Sequence, residues 1–389
     1  MNLRADVSAN STSTQQLSLS NALGVGPDQS AIRTILRPFD AVAYVYAGLE
    51  TFGEEQRETR WRELAAQLDR QGAPAPAIVA LTACAAAAKE APGTLALFAS
   101  DDGTMLHEHQ IAATSLPDRA GYRAPAEVMP LLAWEQQRPP YVLVVADRAG
   151  ADVTACAGDD QSLRTWPVIG PDDEIERNSP GGWSQPRYQR RAEDSWKHNA
   201  GRVADVVAAA LAEVGAQVLV LSGDVRAIQF LTEQLPKDLG ALVCHITGSR
   251  AADGSQSGRK NQVADALRDA ATAQTQALLE HLQSHLGPGG VAVEGRVATL
   301  EALAAGRVAM LLITDPSDEG PLVWFGAGPT EIYPDHASAL LTGVPIRSGS
   351  LADVAARSAI MCDARVRVIN PGIPGEPLDG IGAICRYGL

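Results

Sequence analysis

Between residues 181 and 202 the chain carries Gly181, Gly182, Trp183, Ser184 and Gln185, then Arg187, Tyr188, Arg190, Arg191, Trp196, Lys197, His198 and Arg202. A glycine pair lets a loop tip approach another backbone closely, because neither residue has a Cβ. From Pro186 to Arg202 five Lys and Arg residues stand against Glu193 and Asp194, a local charge of +3. Arg and Lys on one helix neutralise phosphates, and Tyr188 and Trp196 are of the type that stacks on bases or guanidinium planes. The same stretch also fits a solvated basic helix start whose aromatics cover the domain's own core, and by itself it leaves both readings open.

Other reactive groupings are thinner. The Gly-rich stretches lack the Lys-Ser/Thr of a phosphate-binding P-loop, and no strand leads into a G-x-G-x-x-G that opens a helix. His107 and His109 alternate along an expected strand. His281 and His285 stand four apart on an expected helix, a spacing that suits zinc, but no Glu intervenes and no Cys is near. A solvated helix face is the plainer outcome. The carboxylates of residues 172–176 read as a solvated loop, so neither a metal nor another cofactor is expected. Cys84, Cys156, Cys244, Cys362 and Cys385 are odd in number and scattered, with no C-x-x-C, and read as reduced thiols.

The elements that position the basic stretch follow from periodicity. The chain has 389 residues and a formal charge of −14, with 46% hydrophobic and 20% charged residues. That length exceeds one ordinary core. No run nears the roughly 20 apolar residues of a membrane span, and no signal peptide is recognisable, so a soluble cytoplasmic protein without a membrane partner is expected. The acidic total disfavours nucleic acid unless charge is unevenly spread.

The fold class expected is α/β (α+β) in three domains. Residues 1–30, rich in Ser, Thr, Asn and Gln, form a flexible tail. An N-terminal α+β domain follows over 31–138, with strands at 41–46, 94–98 and 105–111 and helices at 54–71 and 77–90. Asp101, Asp102 and Gly103 mark its hairpin. A middle domain over 139–247 has strands at 141–146 and 151–156 and a Pro/Gly-rich loop over 178–186. A long helix over 187–214 comes next, with Val203, Val206, Val207, Ala210, Leu211 and Val214 on one face, then a strand, a helix and a strand. A linker over 248–260 leads to a C-terminal α/β/α sandwich domain over 261–389.

One family shares this order. Strand, Asp-Arg-x-Gly turn, strand, Gly-Gly loop, then Ser-Gln-x-Arg-Tyr-x-Arg on a long helix ending in Trp-Lys-His-Asn resembles the middle domain of the archaeal and eukaryotic class 1 peptide chain release factors and the Pelota proteins. The likeness extends through Gly289-Gly-Val-Ala-Val-Glu-Gly295 and residues 302–313 to Gly380-Ile-Gly-Ala-Ile-Cys-Arg-Tyr387. It implies a release-factor-like fold over 138–389. The release-factor loop reads Gly-Gly-Gln, whereas Trp183 occupies the Gln position here. An indole donates one N–H and accepts nothing, so it cannot replace an amide that orients water.

Among bacterial members, the resemblance is closest to the Balon-type ribosome hibernation factors. It implies a non-catalytic protein that binds the ribosomal A site during stress, reaches the decoding and peptidyl transferase centres, and associates with elongation factor Tu. Gly181, Gly182, Trp183, Ser184 and Gln185 would form the tip. Arg187, Tyr188, Arg190, Arg191, Trp196, Lys197, His198 and Arg202 would contact ribosomal RNA. The alternative it implies is a peptidyl-tRNA hydrolase or tRNA-cleaving rescue enzyme with Gln185 as catalytic residue, since Gly182-x-x-Gln185 resembles the motif of peptidyl-tRNA-cleaving relatives.

Overall fold

A computed structural model describes residues 29–49, 54–88, 93–112, 116–147, 150–158, 162–169, 185–236, 239, 242–248, 256–314 and 320–388; side chains are described throughout except at 54, 55, 57, 112, 162, 185–196, 256 and 257. The expected tail, the loop tip at Gly181, Gly182, Trp183 and Ser184, and the carboxylates at 172–176 lie outside the described residues. The chain runs α1 (Ser30–Leu36), β1 (Val42–Gly48), α2 (Glu54–Arg70), α3 (Ala75–Ala87), β2 (Gly93–Ala99), β3 (Met105–Ala112), β4 (Arg119–Arg123), α4 (Met129–Gln136), β5 (Tyr141–Ala146), β6 (Gly150–Cys156) and β7 (Ser162–Ile169). It continues as α5 (Gln185–Val214), β8 (Val218–Gly223), α6 (Val225–Gln234), β9 (Leu242–His245), α7 (Gln256–Ser284), β10 (Ala292–Glu294), α8 (Arg296–Ala304), β11 (Val308–Thr314), β12 (Leu322–Phe325) and β13 (Ile332–Tyr333). It ends with α9 (His336–Leu340), β14 (Arg347–Ser350), α10 (Leu351–Met361), β15 (Arg365–Ile369) and β16 (Ile381–Cys385). Among the described residues no helix is long and apolar enough to cross a membrane.

Two compact units result: Gln137–Gln274, and Asp28–Gln136 together with Thr275–Leu389. The middle unit has one sheet in the order β7-β6-β5-β8-β9, with β5, β8 and β9 parallel and β5, β6 and β7 antiparallel. Strand alternation sorts its side chains. Val142, Val144, Leu219 and Leu221 face α5 and α6, while Tyr141, Val218 and Val220 face Val263, Leu267 and Ala270 of α7. Strands covered on both faces are apolar in near-continuous runs, as β5 is throughout and β8 is from Val218 to Leu221.

The second unit joins the N-terminal and C-terminal segments through shared packing. In the four-stranded antiparallel sheet β3-β2-β1-β4, one face holds Ala43, Val45, Leu95 and Leu97 against Leu64, Leu68 and Leu81 of α2 and α3. Its opposite face, with Tyr46 and Phe98, belongs to one apolar cluster with Leu311, Val354, Ile360 and Ile381 from the C-terminal segment. The segments Asp28–Gln136 and Thr275–Leu389, separate blocks in the sequence, therefore share a core. An amphipathic sheet with helices on one face must bury its other face, and here α1, α4 and the C-terminal segment cover it. The C-terminal segment carries the sheets β10-β16-β11-β15 and β13-β12-β14.

Polar side chains fix that junction. Gln136 Nε2 donates to the Val366 carbonyl at 2.7 Å, and Val368 N donates to Gln136 Oε1 at 2.8 Å. One amide side chain thus does for β15 what a neighbouring strand would. Arg357 Nε donates to the Leu36 carbonyl at 3.2 Å and its Nη2 to the Ala327 carbonyl at 2.8 Å.

Several elements differ from the sequence expectation at their ends. Gln185 and Pro186, expected in the loop, are the first residues of α5: a proline is compatible with a first turn, where its missing N–H has no helical partner. Likewise α7 begins at Gln256, inside the expected linker. The strands β4, β13 and β14 and the helices α1, α4 and α9 are short and lack a sustained period, and the eight-residue β7 lacks one too. The 101–103 hairpin turn forms as expected: Asp102 Oδ1 accepts from Ser100 Oγ (2.6 Å) and Thr104 N (2.9 Å), and Gly103 sits at φ +84°.

Candidate nucleic-acid interface

Helix α5 has 30 residues, about 45 Å at 1.5 Å per residue. Its buried stripe is Ala200, Val203, Ala204, Val207, Ala210 and Leu211, packed on the β5–β6 face of the sheet. Val206 and Val214, expected on the same face, are only partly buried. At about 100° per residue, positions 187, 191, 198 and 202 fall within roughly 60° of one another, on the side of the helix opposite that stripe. Three of them are Arg and one is His. The acidic position 194 shares the sector, and Asp205 follows it one turn after Arg202. Position 196 continues the buried phase through Ala200, Val203 and Val207, and position 188 falls about 80° from it around the helix.

Among the sequence candidates, the described side chains are those of Lys197, His198 and Arg202. Lys197 and His198 are exposed. The Lys197 Nζ lies 5.9 Å from the centroid of the Phe230 ring on α6, a cation–π contact that ties the ammonium to the neighbouring helix. Arg202 is exposed but Nη1 donates to the Ile169 carbonyl at 3.3 Å, fastening α5 to the end of β7. Arg202 therefore has a structural role in addition to any charge it presents. The side chains of Gln185, Arg187, Tyr188, Arg190, Arg191 and Trp196 lie outside the described ones, as does the whole of Gly181, Gly182, Trp183 and Ser184.

Two further features adjoin this helix. Asp147 Oδ1 accepts from Gly150 N at 2.8 Å and Asp147 N donates to the Gly150 carbonyl at 2.9 Å, closing the β5–β6 turn. Beside that turn, Asn199 is 8% exposed and its Oδ1 has no hydrogen-bond partner among the described residues; it lines a cavity of about 20 Å³ with Ala146, Asp147, Gly150 and Val203. That volume holds about one water. Only the i+3 and i+4 spacing of Asn199 to Val203 and Arg202 marks it in the sequence, and that signal equally fits an exposed position.

The rings within each histidine pair are brought together, those of His107 and His109 at 5.8 Å. His281 and His285 have ring centroids 3.9 Å apart, and burial, with the neighbouring His285, holds His281 below the usual imidazole range. No cluster of three or more His, Cys, Asp or Glu that could hold a metal occurs among the described residues. The five cysteines are free thiols; Cys156 and Cys385 are buried and the other three partly so.

Residues 140–288 match the family model described as Bacterial archaeo-eukaryotic release factor family 2. The chain is 24% identical over 340 residues to a Mycobacterium tuberculosis protein named Uncharacterized protein Rv2629, covering 86% of this chain and 89% of that one. Among solved structures it is similar to ribosome-bound archaeal Pelota, at 13% identity and a TM-score of 0.39 over 92% of this chain and 93% of that one. It is also similar to Archaeoglobus fulgidus Pelota, at 11% identity and a TM-score of 0.35 over 94% of each chain. The match spans the β5–β6 turn, the whole of α5 and the β8–α6–β9 layer that buries it. Over that middle region the chain is bacterial archaeo-eukaryotic release factor-like.

Proposed function

We propose that the protein is a ribosome-binding translation factor, and within that class a hibernation factor that occupies the A site of idle ribosomes during stress. The observation that supports this best is the pairing of a release-factor-like middle region with a 30-residue helix whose basic positions 187, 191, 198 and 202 lie opposite its buried stripe. Gly181, Gly182, Trp183 and Gln185 would approach the peptidyl transferase centre, with Arg187, Arg190, Arg191, Lys197 and Arg202 on ribosomal RNA phosphates. The N-terminal domain would reach toward the decoding centre, and elongation factor Tu is a candidate partner. A net charge of −14 keeps the remainder of the chain from binding RNA indiscriminately, leaving local charge and shape to select the target.

The test is co-sedimentation with ribosomes from starved cells over a salt series. Binding that weakens steeply with salt and is lost in Arg190→Glu/Arg191→Glu supports the proposal; a protein that stays in the supernatant, or a double variant that binds like wild type, overturns it. The hydrolase reading rests on Gln185, the first residue of α5, three positions after Gly182 in the sequence. Release of labelled peptide from ribosome-bound peptidyl-tRNA by wild type, abolished in Gln185→Ala, would favour that reading over a non-catalytic one.

A further inference from the structure

Among the described side chains of α5, burial begins at Asn199. Lys197 and His198 are exposed, whereas Asn199, Ala200, Val203, Ala204 and Val207 are buried against the sheet. At the join between the basic half and the packed half, the residue types suit a helix poorly.

Gly201 stands in the interior of a 30-residue helix, where glycine is the weakest helix former after proline. Packing gives no reason for it: a Cβ at Gly201 would meet no atom within 4 Å among the described residues. Gly150 and Gly223 in the same unit differ, because a Cβ there would run into the carbonyl oxygens of Val168 and Ala146. Two positions before Gly201, Asn199 is another poor helix former, and its buried Oδ1 has no hydrogen-bond partner among the described residues. A buried amide oxygen in that state raises the free energy of the packed helix, and turning it to water relieves the cost. The cavity of about 20 Å³ beside it withholds contacts that would otherwise hold the helix down.

The contacts on the two sides of this join are unequal. On the C-terminal side, Val203, Val207 and Ala210 belong to the core, and Arg202 Nη1 donates to the Ile169 carbonyl. On the N-terminal side, Lys197 Nζ rests 5.9 Å from the Phe230 centroid, near the outer limit at which a ring face attracts an ammonium. That contact is exchangeable, since a charge-assisted bond to phosphate is the stronger one.

We propose that α5 bends at Asn199–Gly201 and that the bent form is the one that engages RNA. Lys197 leaves the Phe230 ring for a phosphate, and segment 185–198 turns with it while Arg202 and the valine stripe stay on the sheet. The bend rests on helix composition and packing; its use rests on the ribosome-binding reading.

Amide hydrogen exchange of the full chain, resolved by residue and corrected for intrinsic rates, tests the bend without ribosomes. Amides 201–205, whose helical acceptors are the carbonyls of 197–201, are expected to exchange faster than those of 191–196 and 208–213. Gly201→Ala should slow them about fivefold and Asn199→Ala about threefold, as the helix-propensity differences require, with 208–213 unchanged. The proposal is overturned if 191–196 exchange at least as fast as 201–205, which is fraying from the helix end, or if neither variant slows exchange. Co-sedimentation tests the use of the bend. Gly201→Ala is expected to bind ribosomes about fivefold more weakly while unfolding at higher urea, because the bent form becomes costlier by that factor. Binding equal to wild type overturns the proposal. A wild type that stays in the supernatant overturns the ribosome reading instead, and the exchange rates still decide the bend.

Discussion

Arg123 Nη2 donates a 2.8 Å hydrogen bond to Oδ2 of Asp353, joining the end of β4 to the first turn of α10 across 230 residues of chain. Asp353 is 2% exposed, also accepts from Ser350 Oγ at 2.6 Å, and makes a long 3.4 Å contact with Val128 N. Arg123 reaches Glu127 as well, at 3.5 Å, and Glu127 accepts from the Tyr44 hydroxyl at 2.8 Å. Burial pushes the Asp353 carboxyl up to about 6, against the lowering effect of Arg123.

The sign of that shift sets a pH dependence. A carboxyl whose folded pKa lies above its unfolded value of 3.8 holds its proton more tightly in the folded state, so stability from this group is greatest below about 4 and declines as pH rises to about 6. The decline is of order 3 kcal/mol. Asp353→Asn keeps an acceptor for Arg123 and Val128 and removes the titration. Urea unfolding at pH 4.5 and 7.5 is expected to show a smaller loss on raising pH in Asp353→Asn than in wild type; equal losses would contradict the assignment.

His107 carries the opposite sign. It lies in a run of rings: Phe98 at 6.4 Å, His109 parallel at 5.8 Å, and then Trp134 at 4.8 Å from His109. Burial, then the charge of His109, lowers the His107 pKa, with Glu108 opposing. The unfolded chain therefore takes up this proton first, and stability from the neutral ring is present above about 6.5 and lost as pH falls below it. His107→Phe is expected to raise the urea midpoint at pH 5.5 relative to wild type and change it little at pH 8.

The amide of Gln136 supplies a donor and an acceptor to β15 at once. Gln136→Ala leaves Val368 N–H and the Val366 carbonyl without that partner and is expected to destabilise by about 2–4 kcal/mol. Gln136→Glu keeps the acceptor for Val368 N but sets a buried carboxylate oxygen against the Val366 carbonyl, and should destabilise at least as much as Gln136→Ala. Thermal and chemical denaturation monitored by tryptophan fluorescence measures both.

Substitutions on α5 separate charge from anchoring. Arg191→Gln should weaken ribosome binding across salt concentrations and reduce the slope of log affinity against log salt by about one, as loss of one phosphate contact does. Arg202→Gln also removes the bond to the Ile169 carbonyl, so it should lower the unfolding midpoint as well. If both variants change binding and stability alike, the distinction between the two arginines fails.

The amino-acid sequence determined what local chemistry and short-range periodicity can encode. The all-apolar runs of β5 and β8, the i, i+3, i+4, i+7 stripe of α5 from Val203 to Leu211 and the Asp101–Gly103 turn are each specified by residues within a few positions of one another, and their motif order also carried the family resemblance. The concentration of positive charge at 187–202 inside an acidic chain was equally legible. Only the tertiary structure decided what depends on distant partners. Tyr46 and Phe98 share a core with Leu311 and Ile381; Gln136 serves as an edge partner for β15; and Arg202 is tied to Ile169. A polar residue in sequence looks the same whether it will be solvated or buried, and its role is set by which groups, often 100 or more positions away, the packing of sheets and helices brings within hydrogen-bond distance.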